Sequence, residues 1–303
     1  MQYVPFGQTG IQVSRLGFGC MRLPETEING RKCADPEESA RMMRRAIELG
    51  VNYFDTAPKY CDMQSETIVG QALEGIRDKV YLSTKYPTET ASGDDLEYWL
   101  HRSLTCLRTD HIDFYHMWGI NLNVYEQKLA VPNGPLERAL RMKEQGLIRH
   151  ISFSFHDKPE NMIEILKRAD GLFDSVLCQY NVLDRGNEIG IKYAGEHGMG
   201  VTIMGPVGGG RLGAPSPVIQ SMLPGKRASS PEVALRFVLN NPNVSIALSG
   251  MSTMQQVEEN CAIASNMEPL TADETQHILT MTEENKRLAD LYCTGCNYCM
   301  PCP

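Results

Sequence analysis

Four polar side chains of complementary type fall at or near the ends of three apolar runs: Asp55 and Tyr60 in "YFDTAPKY", Lys85 in "STK" and His116 in "DFYHMW". A tyrosine can protonate a developing alkoxide, but with a pKa near 10 it gives up its proton poorly at neutral pH. A cationic lysine beside it favours the phenolate and lowers that pKa, and an aspartate paired with the lysine fixes the ammonium. A histidine can donate a hydrogen bond to the same oxygen and orient it. Singly, Asp55 reads as a strand-end cap and His116 as a core histidine. Together the four read as a site that protonates and polarises a carbonyl.

A second constellation lies at the far end, "LYCTGCNYCMPCP", where Cys293, Cys296, Cys299 and Cys302 recur every third residue. Three thiolates spaced C-x2-C-x2-C can wrap one iron-sulfur cluster, whereas zinc sites usually pair CxxC with a distant second pair, absent here. The other six cysteines, Cys20, Cys33, Cys61, Cys106, Cys178 and Cys261, share no spacing and read as ordinary small apolar residues.

Positioning the four polar groups requires strands that end on one face. Eight short runs rich in β-branched and aromatic residues alternate with helical patterns: "RLGFGCM", "NYFDTA", "VYLSTK", "IDFYHM", "HISFSF", "SVLCQY", "VTIMGP" and "VSIALSG". That alternation predicts an α/β fold, a closed (β/α)8 TIM barrel, whose chemistry sits at the C-terminal strand ends. Asp35, Pro36 and Gly50 bracket a helix with Ala40, Met43 and Ile47 on one face. Leu96, Trp99, Leu100, Leu104 and Leu107 form another apolar stripe. Ahead of the barrel, "QYVPFG" and "IQVSRL" predict a hairpin plugging its floor, and "TADETQHILTMTEENKRLAD" a C-terminal helix leading into the cysteine-rich tail. Residues 205–230, rich in Gly, Pro and Ser, are expected to form a mobile loop over the catalytic face.

The chain has 303 residues, is 42% hydrophobic and carries a formal charge of −8. It can therefore bury a sizeable core, and it lacks the basic footprint of a protein that grips nucleic acid or an anionic membrane. The opening "MQYVPFGQTG" has no basic or apolar targeting pattern, and no eighteen-residue apolar run occurs, so a cytoplasmic location and no membrane partner are expected.

With these motifs in order and spacing, residues 1–285 resemble the aldo-keto reductase family. The resemblance implies hydride transfer between NADPH or NADH and a small-molecule carbonyl, with Tyr60 as general acid, Lys85 and Asp55 tuning it, and His116 positioning the substrate. It also implies that Ser154 and Gln179 hold the nicotinamide carboxamide. The Asn usual after that Ser is Phe155, and the usual stacking aromatic is Met204. Gly208 to Gly213, "GGGRLG", matches GxGxxG but opens no clear helix; Gly205, Pro206, Val207, Gly208, Gly210 and Arg211 are expected to fold over the pyrophosphate, Arg211 neutralising charge.

"SGMSTMQQVEEN" is similar to the family's adenosine segment, with Glu259 and Asn260 at the adenine. The basic residues that grip a 2′-phosphate are replaced by Gly250, Ser252 and Gln256, and no Lys or Arg occurs between Arg236 and Lys286. Either nucleotide is thus the expected cofactor. One branch of the family carries a ferredoxin-like [4Fe-4S] module after the barrel, and its opening is similar to this tail. By that likeness residues 286–303 begin an iron-sulfur module, probed by a redox partner, whose remaining ligands lie beyond Pro303. The rival functional reading is a redox-sensing or regulatory protein that binds the nucleotide with little turnover.

Overall fold

The computed structural model describes residues 1–28, 30–89, 91–213, 217–220 and 229–284. From the N-terminus, β1 (Tyr3–Pro5) and β2 (Gln12–Ser14) form an antiparallel pair, and β3 (Leu16–Gly19) opens the barrel. A second antiparallel pair, β4 (Glu25–Ile28) and β5 (Arg31–Ala34), follows. The ring is completed by β6 (Tyr53–Asp55), β7 (Tyr81–Pro87), β8 (Ile112–Ile120), β9 (Ile148–Phe155), β10 (Ser175–Gln179), β11 (Gly200–Met204) and β12 (Ile246–Gly250), with β12 closing on β3. All eight barrel pairings are parallel, as the strand and helix alternation predicts.

Period-two alternation divides the apolar side chains between two cores. Outward residues such as Leu16, Phe18, Phe54 and Leu82 pack beneath the helices. Inward ones, Tyr53, Phe114, Leu177 and Ile246, gather around Phe6 from the turn of the first hairpin. The Phe6 ring lies 4.9 Å from Phe114 and 5.7 Å from Tyr53. The hairpin therefore seals the floor, as its sequence suggested. Gly7, with φ of 55°, is where the backbones meet: a Cβ there would lie 2.4 Å from the Gly198 carbonyl oxygen.

The helix Pro36–Glu48 starts as expected, with the Asp35 side chain accepting from the Glu38 N–H at 3.0 Å. Its buried face is Ser39, Met42, Met43 and Ala46, so Ala40 and Ile47 flank that face instead of forming it. The helix Gly93–Leu107 buries Leu96, Leu100, Ser103 and Leu107, with Trp99 and Leu104 at the margin.

Three features depart from the sequence reading. The pair β4–β5 stands where only a helix was expected between the first two barrel strands; its signal in the sequence is the Asn-Gly dipeptide in "ETEINGRKCA", a pair that favours hairpins. Strand β8 runs on past Met117 through a register shift against β9, and Gly119 takes a φ of 66° within it. The segment after β11 makes a short turn at Gly208–Gly210 and a four-residue helix, Pro217–Gln220. Much of 214–228 and the tail from 285 lie outside the described residues.

Candidate active site

Register brings the polar groups together. Asp55 closes β6 opposite Ser83, and Lys85 on β7 is paired with His116 on β8. Lys85 and His116 thus stand within their strands rather than at the tips. The Lys85 ammonium, 1% exposed, donates to Asp55 Oδ1 at 2.5 Å and to the Thr56 carbonyl at 2.7 Å. Asp55 Oδ2 accepts from the Ser83 hydroxyl at 2.6 Å. Burial pulls the Lys85 pKa down, and the Asp55 carboxylate opposes it.

Tyr60 sits on the turn after β6, and Lys85 Nζ lies 4.9 Å from its ring centroid. Trp118 packs edge-on to the same ring at 5.7 Å. The chain then passes through three consecutive left-handed residues, Cys61, Asp62 and Met63, with φ of 50°, 51° and 65°. L-residues rarely hold that conformation, at a cost of roughly 1–2 kcal/mol each. Local bonds impose it: Gln64 N–H to the Cys61 carbonyl at 3.0 Å and Ser65 N–H to the Tyr60 carbonyl at 3.2 Å, leading into the helix Ser65–Ala72.

His116 is fully buried, and neither ring nitrogen has a partner of good hydrogen-bond geometry. Burial lowers its pKa to about 4; Asp55 opposes the shift, Lys85 reinforces it, and the nearby Phe153 backbone opposes it. The imidazole is therefore neutral at pH 7, with an N–H to spare. Behind the set lies Glu66, 1% exposed, its carboxylate held by Thr84 Oγ1 and Arg102 Nη1, both at 2.7 Å.

The residues expected to meet the cofactor stand at or near the C-terminal ends of β9 to β12 and in the segments after them. Ser154 Oγ accepts from the Gly119 N–H at 2.7 Å, leaving its own proton to donate. Gln179 and Met204 are paired at the ends of β10 and β11. Gly205, φ 63°, lies so close to the Gln179 amide that a Cβ would meet Oε1 at 2.5 Å, and Asn181 Nδ2 holds its carbonyl at 3.0 Å. Pro206 is buried and Val207 packs on the core. Gly208 and Gly210, φ 58° and 100°, turn the chain so that Arg211 follows, its Nε buried without a partner.

Gly250 is exposed at the tip of β12; Gln256 Oε1 accepts from the Ser252 N–H at 2.8 Å; Glu259 is exposed. Asn260 is buried, with its amide on Ser249 Oγ at 3.2 Å. Arg22, from the segment after β3, also reaches this face. Its guanidinium donates to the Gly209 carbonyl at 2.6 Å, and its own carbonyl accepts from Ser252 Oγ at 3.1 Å.

Sequence reasoning passed over Ser83, Glu66, Trp118 and Arg22. Ser83 carried a signal, since it lies two residues before Lys85 and faces the same way in a strand. Arg22 carried none, because its partners are about 190 and 230 residues away.

Cys293, Cys296, Cys299 and Cys302 lie outside the described residues, among which no cluster of three metal-binding side chains occurs. The remaining six cysteines are free thiols, with Cys20, Cys178 and Cys261 buried. Among the described residues no helix is long and apolar enough to cross a membrane.

A closed parallel barrel with a buried Lys–Asp pair under a tyrosine ring, beside a neutral histidine, has the equipment of a carbonyl oxidoreductase. The family model of the Aldo/keto reductase family matches residues 15–282, and the chain belongs to that family. It is similar to the uncharacterized oxidoreductase YqkF of Bacillus subtilis, 29% identical over 92% of this chain and 96% of the relative. L-galactose dehydrogenase of Arabidopsis thaliana is 28% identical over 88% of this chain and 89% of its own. Among solved structures, the holo form of aldo-keto reductase AKR11C1 from Bacillus halodurans superposes with a TM-score of 0.79 at 31% identity, covering 93% and 96% of the two chains. The chain is an NAD(P)H-dependent reductase acting on a small-molecule carbonyl, and the regulatory reading is not favoured.

Proposed function

We propose that this chain reduces an aldehyde or ketone with Tyr60 as the proton donor. The observation that carries the reading is the buried Lys85–Asp55 ion pair beside the Tyr60 ring, 2.5 Å within the pair and 4.9 Å from Nζ to the ring. A bound nicotinamide nucleotide supplies the hydride. Lys85 favours the phenolate left when Tyr60 gives its proton to the carbonyl oxygen. Asp55 holds that ammonium in place against burial, and the neutral His116 offers an N–H to the same oxygen.

The residues facing the nucleotide side fit such a group. Ser154 and Gln179 offer a donor and an amide for a carboxamide, and Met204 a polarisable surface for a ring. The glycine turn at Gly205 to Gly210, with the unpartnered Nε of Arg211, suits a pyrophosphate. Gly250, Ser252, Gln256, Glu259 and Asn260 provide neutral and acidic contacts for the adenosine half, consistent with NADPH or NADH. Tyr60→Phe tests the assignment. Nucleotide binding and melting temperature should persist while kcat for a simple aldehyde falls by about 10² or more, the usual worth of a positioned proton donor. Near-normal turnover would refute the role.

The tail supports a second component of the same reading: residues 286–303 begin an iron-sulfur module, and a redox partner meets the protein there. Its support is the C-x2-C-x2-C spacing, in which Cys293, Cys296 and Cys299 hold three corners of a [4Fe-4S] cluster and Cys302 serves another. Anaerobic reconstitution of the 303-residue chain followed by iron and sulfide analysis should find little or no cluster. A stable stoichiometric centre lost on Cys302→Ser would show that the four cysteines close one site. A cytoplasmic location accords with the six free thiols, and fractionation of cells expressing the protein checks it.

A further inference from the structure

We propose that Ser83 is a positioning residue for the reaction, acting through Asp55 to keep Lys85 protonated. The proposal rests on the tetrad reading above and deepens it. Asp55 is 2% exposed and has two oxygens to satisfy. Oδ1 takes the Lys85 ammonium at 2.5 Å, and Oδ2 takes the Ser83 hydroxyl at 2.6 Å, so the carboxylate plane is pinned at both ends. Ser83 is itself fully buried and sits directly opposite Asp55 in the parallel register, where the Thr56 N–H also bonds the Ser83 carbonyl at 2.9 Å. The link is thus built into two paired strands, whose geometry leaves Asp55 little room to turn.

The charge balance around Lys85 explains why this matters. A buried ammonium is favoured only while its counter-ion stays in contact. The ionisable groups facing it are Asp55 and Tyr60 from β6 and its following turn, Cys20 just after β3, Glu66 from the helix Ser65–Ala72, His116 from β8 and His156 after β9. Glu66 is already engaged by Thr84 and Arg102, and among the described residues Asp55 is the one acid bonded to Nζ. Removing the Ser83 hydroxyl leaves Oδ2 buried without that donor and frees the carboxylate to rotate away from Nζ. Burial then wins at Lys85, the ammonium loses its proton at lower pH, and its support for proton donation by Tyr60 goes with it.

The test compares Ser83→Ala, Ser83→Cys and Ser83→Thr with wild type and Tyr60→Phe. The readouts are kcat, KM and the pH profile for reduction of 4-nitrobenzaldehyde, with nucleotide binding followed by fluorescence quenching as evidence of folding. For Ser83→Ala we expect kcat to fall about tenfold at neutral pH with KM and nucleotide affinity held, and the basic limb of the kcat profile to move to lower pH by about one unit. Ser83→Thr, which keeps the hydroxyl, should restore the limb; Ser83→Cys, a weak donor of similar size, should fall between and serves if the alanine variant does not fold. A loss uniform across pH with the limb unmoved would mean a packing role and overturns the proposal, as does wild-type behaviour of the alanine and cysteine variants. Wild-type turnover by Tyr60→Phe would overturn the tetrad reading itself, a result that the serine variants alone do not produce.

Discussion

His116 shows what burial does to a single side chain. Its folded pKa of about 4 lies below the ordinary histidine value of 6.5, so between those values the unfolded chain holds a proton that the folded one refuses. The contribution to stability is complete above about pH 6.5 and is lost as pH falls through about 4. The maximum slope is about 1.4 kcal/mol per pH unit, and the whole effect is on the order of 3 kcal/mol. Urea unfolding of wild type and His116→Gln at pH 7.0, roughly 5.5 and about 4.5 checks it: the stability difference should shift in favour of the glutamine variant on acidification. A pH-independent difference would mean that the ring titrates alike in the folded and unfolded chains. The same depression keeps His116 a neutral donor over the whole range in which the reaction would be assayed.

At the scale of elements, close backbone approach decides more than helix propensity. Gly70 lies within the helix Ser65–Ala72, where alanine would ordinarily add about 1 kcal/mol. A Cβ at Gly70 would stand 2.5 Å from the Cys106 carbonyl oxygen and 2.8 Å from the Leu107 carbonyl carbon, both backbone atoms of the neighbouring helix. Neither can swing aside as a side chain would, and overpacking of this kind costs typically 1–3 kcal/mol. Gly70→Ala should therefore destabilise the protein by about 1 kcal/mol or more, read as a lower urea midpoint. A higher midpoint would show that the two helices separate easily. Because the helix Ser65–Ala72 carries Glu66 and anchors the strained turn after Tyr60, kcat should fall with it.

At the scale of the whole molecule, the face proposed to hold the nucleotide is assembled from segments that the chain keeps far apart. Arg22 follows the first barrel strand, Gly209 the seventh and Ser252 the eighth, yet two hydrogen bonds join them. The segment from Gly250 to Gln256 has no cation of its own, and the fold brings one alongside. Since the Arg22 guanidinium faces the glycine turn, which the proposed function assigns to the pyrophosphate common to both cofactors, Arg22→Ala should weaken NADPH and NADH alike, by about tenfold each. Paired titrations decide the matter. A loss confined to NADPH would place the guanidinium at the 2′-phosphate instead and reveal a specificity that residues 250, 252 and 256 do not suggest.

Much of this protein was legible from local pattern. Eight apolar runs with helices between them dictate the barrel, because a strand's period of two and a helix's of 3.6 are written among near neighbours. The cap at Asp35 was visible at its helix start, and Asp55, Tyr60, Lys85 and His116 were visible as polar residues in or just after apolar runs. What the tertiary structure alone decided is which groups touch across the ring. The second oxygen of Asp55 finds Ser83, Glu66 finds Thr84 and Arg102, and Arg22 closes on Gly209. Such contacts depend on strand register and on loops folding back over a common face, and neither is encoded within a short window of sequence. Burial likewise belongs to the fold: the sequence names a histidine, but only the packed barrel removes it from water and lowers its pKa to about 4.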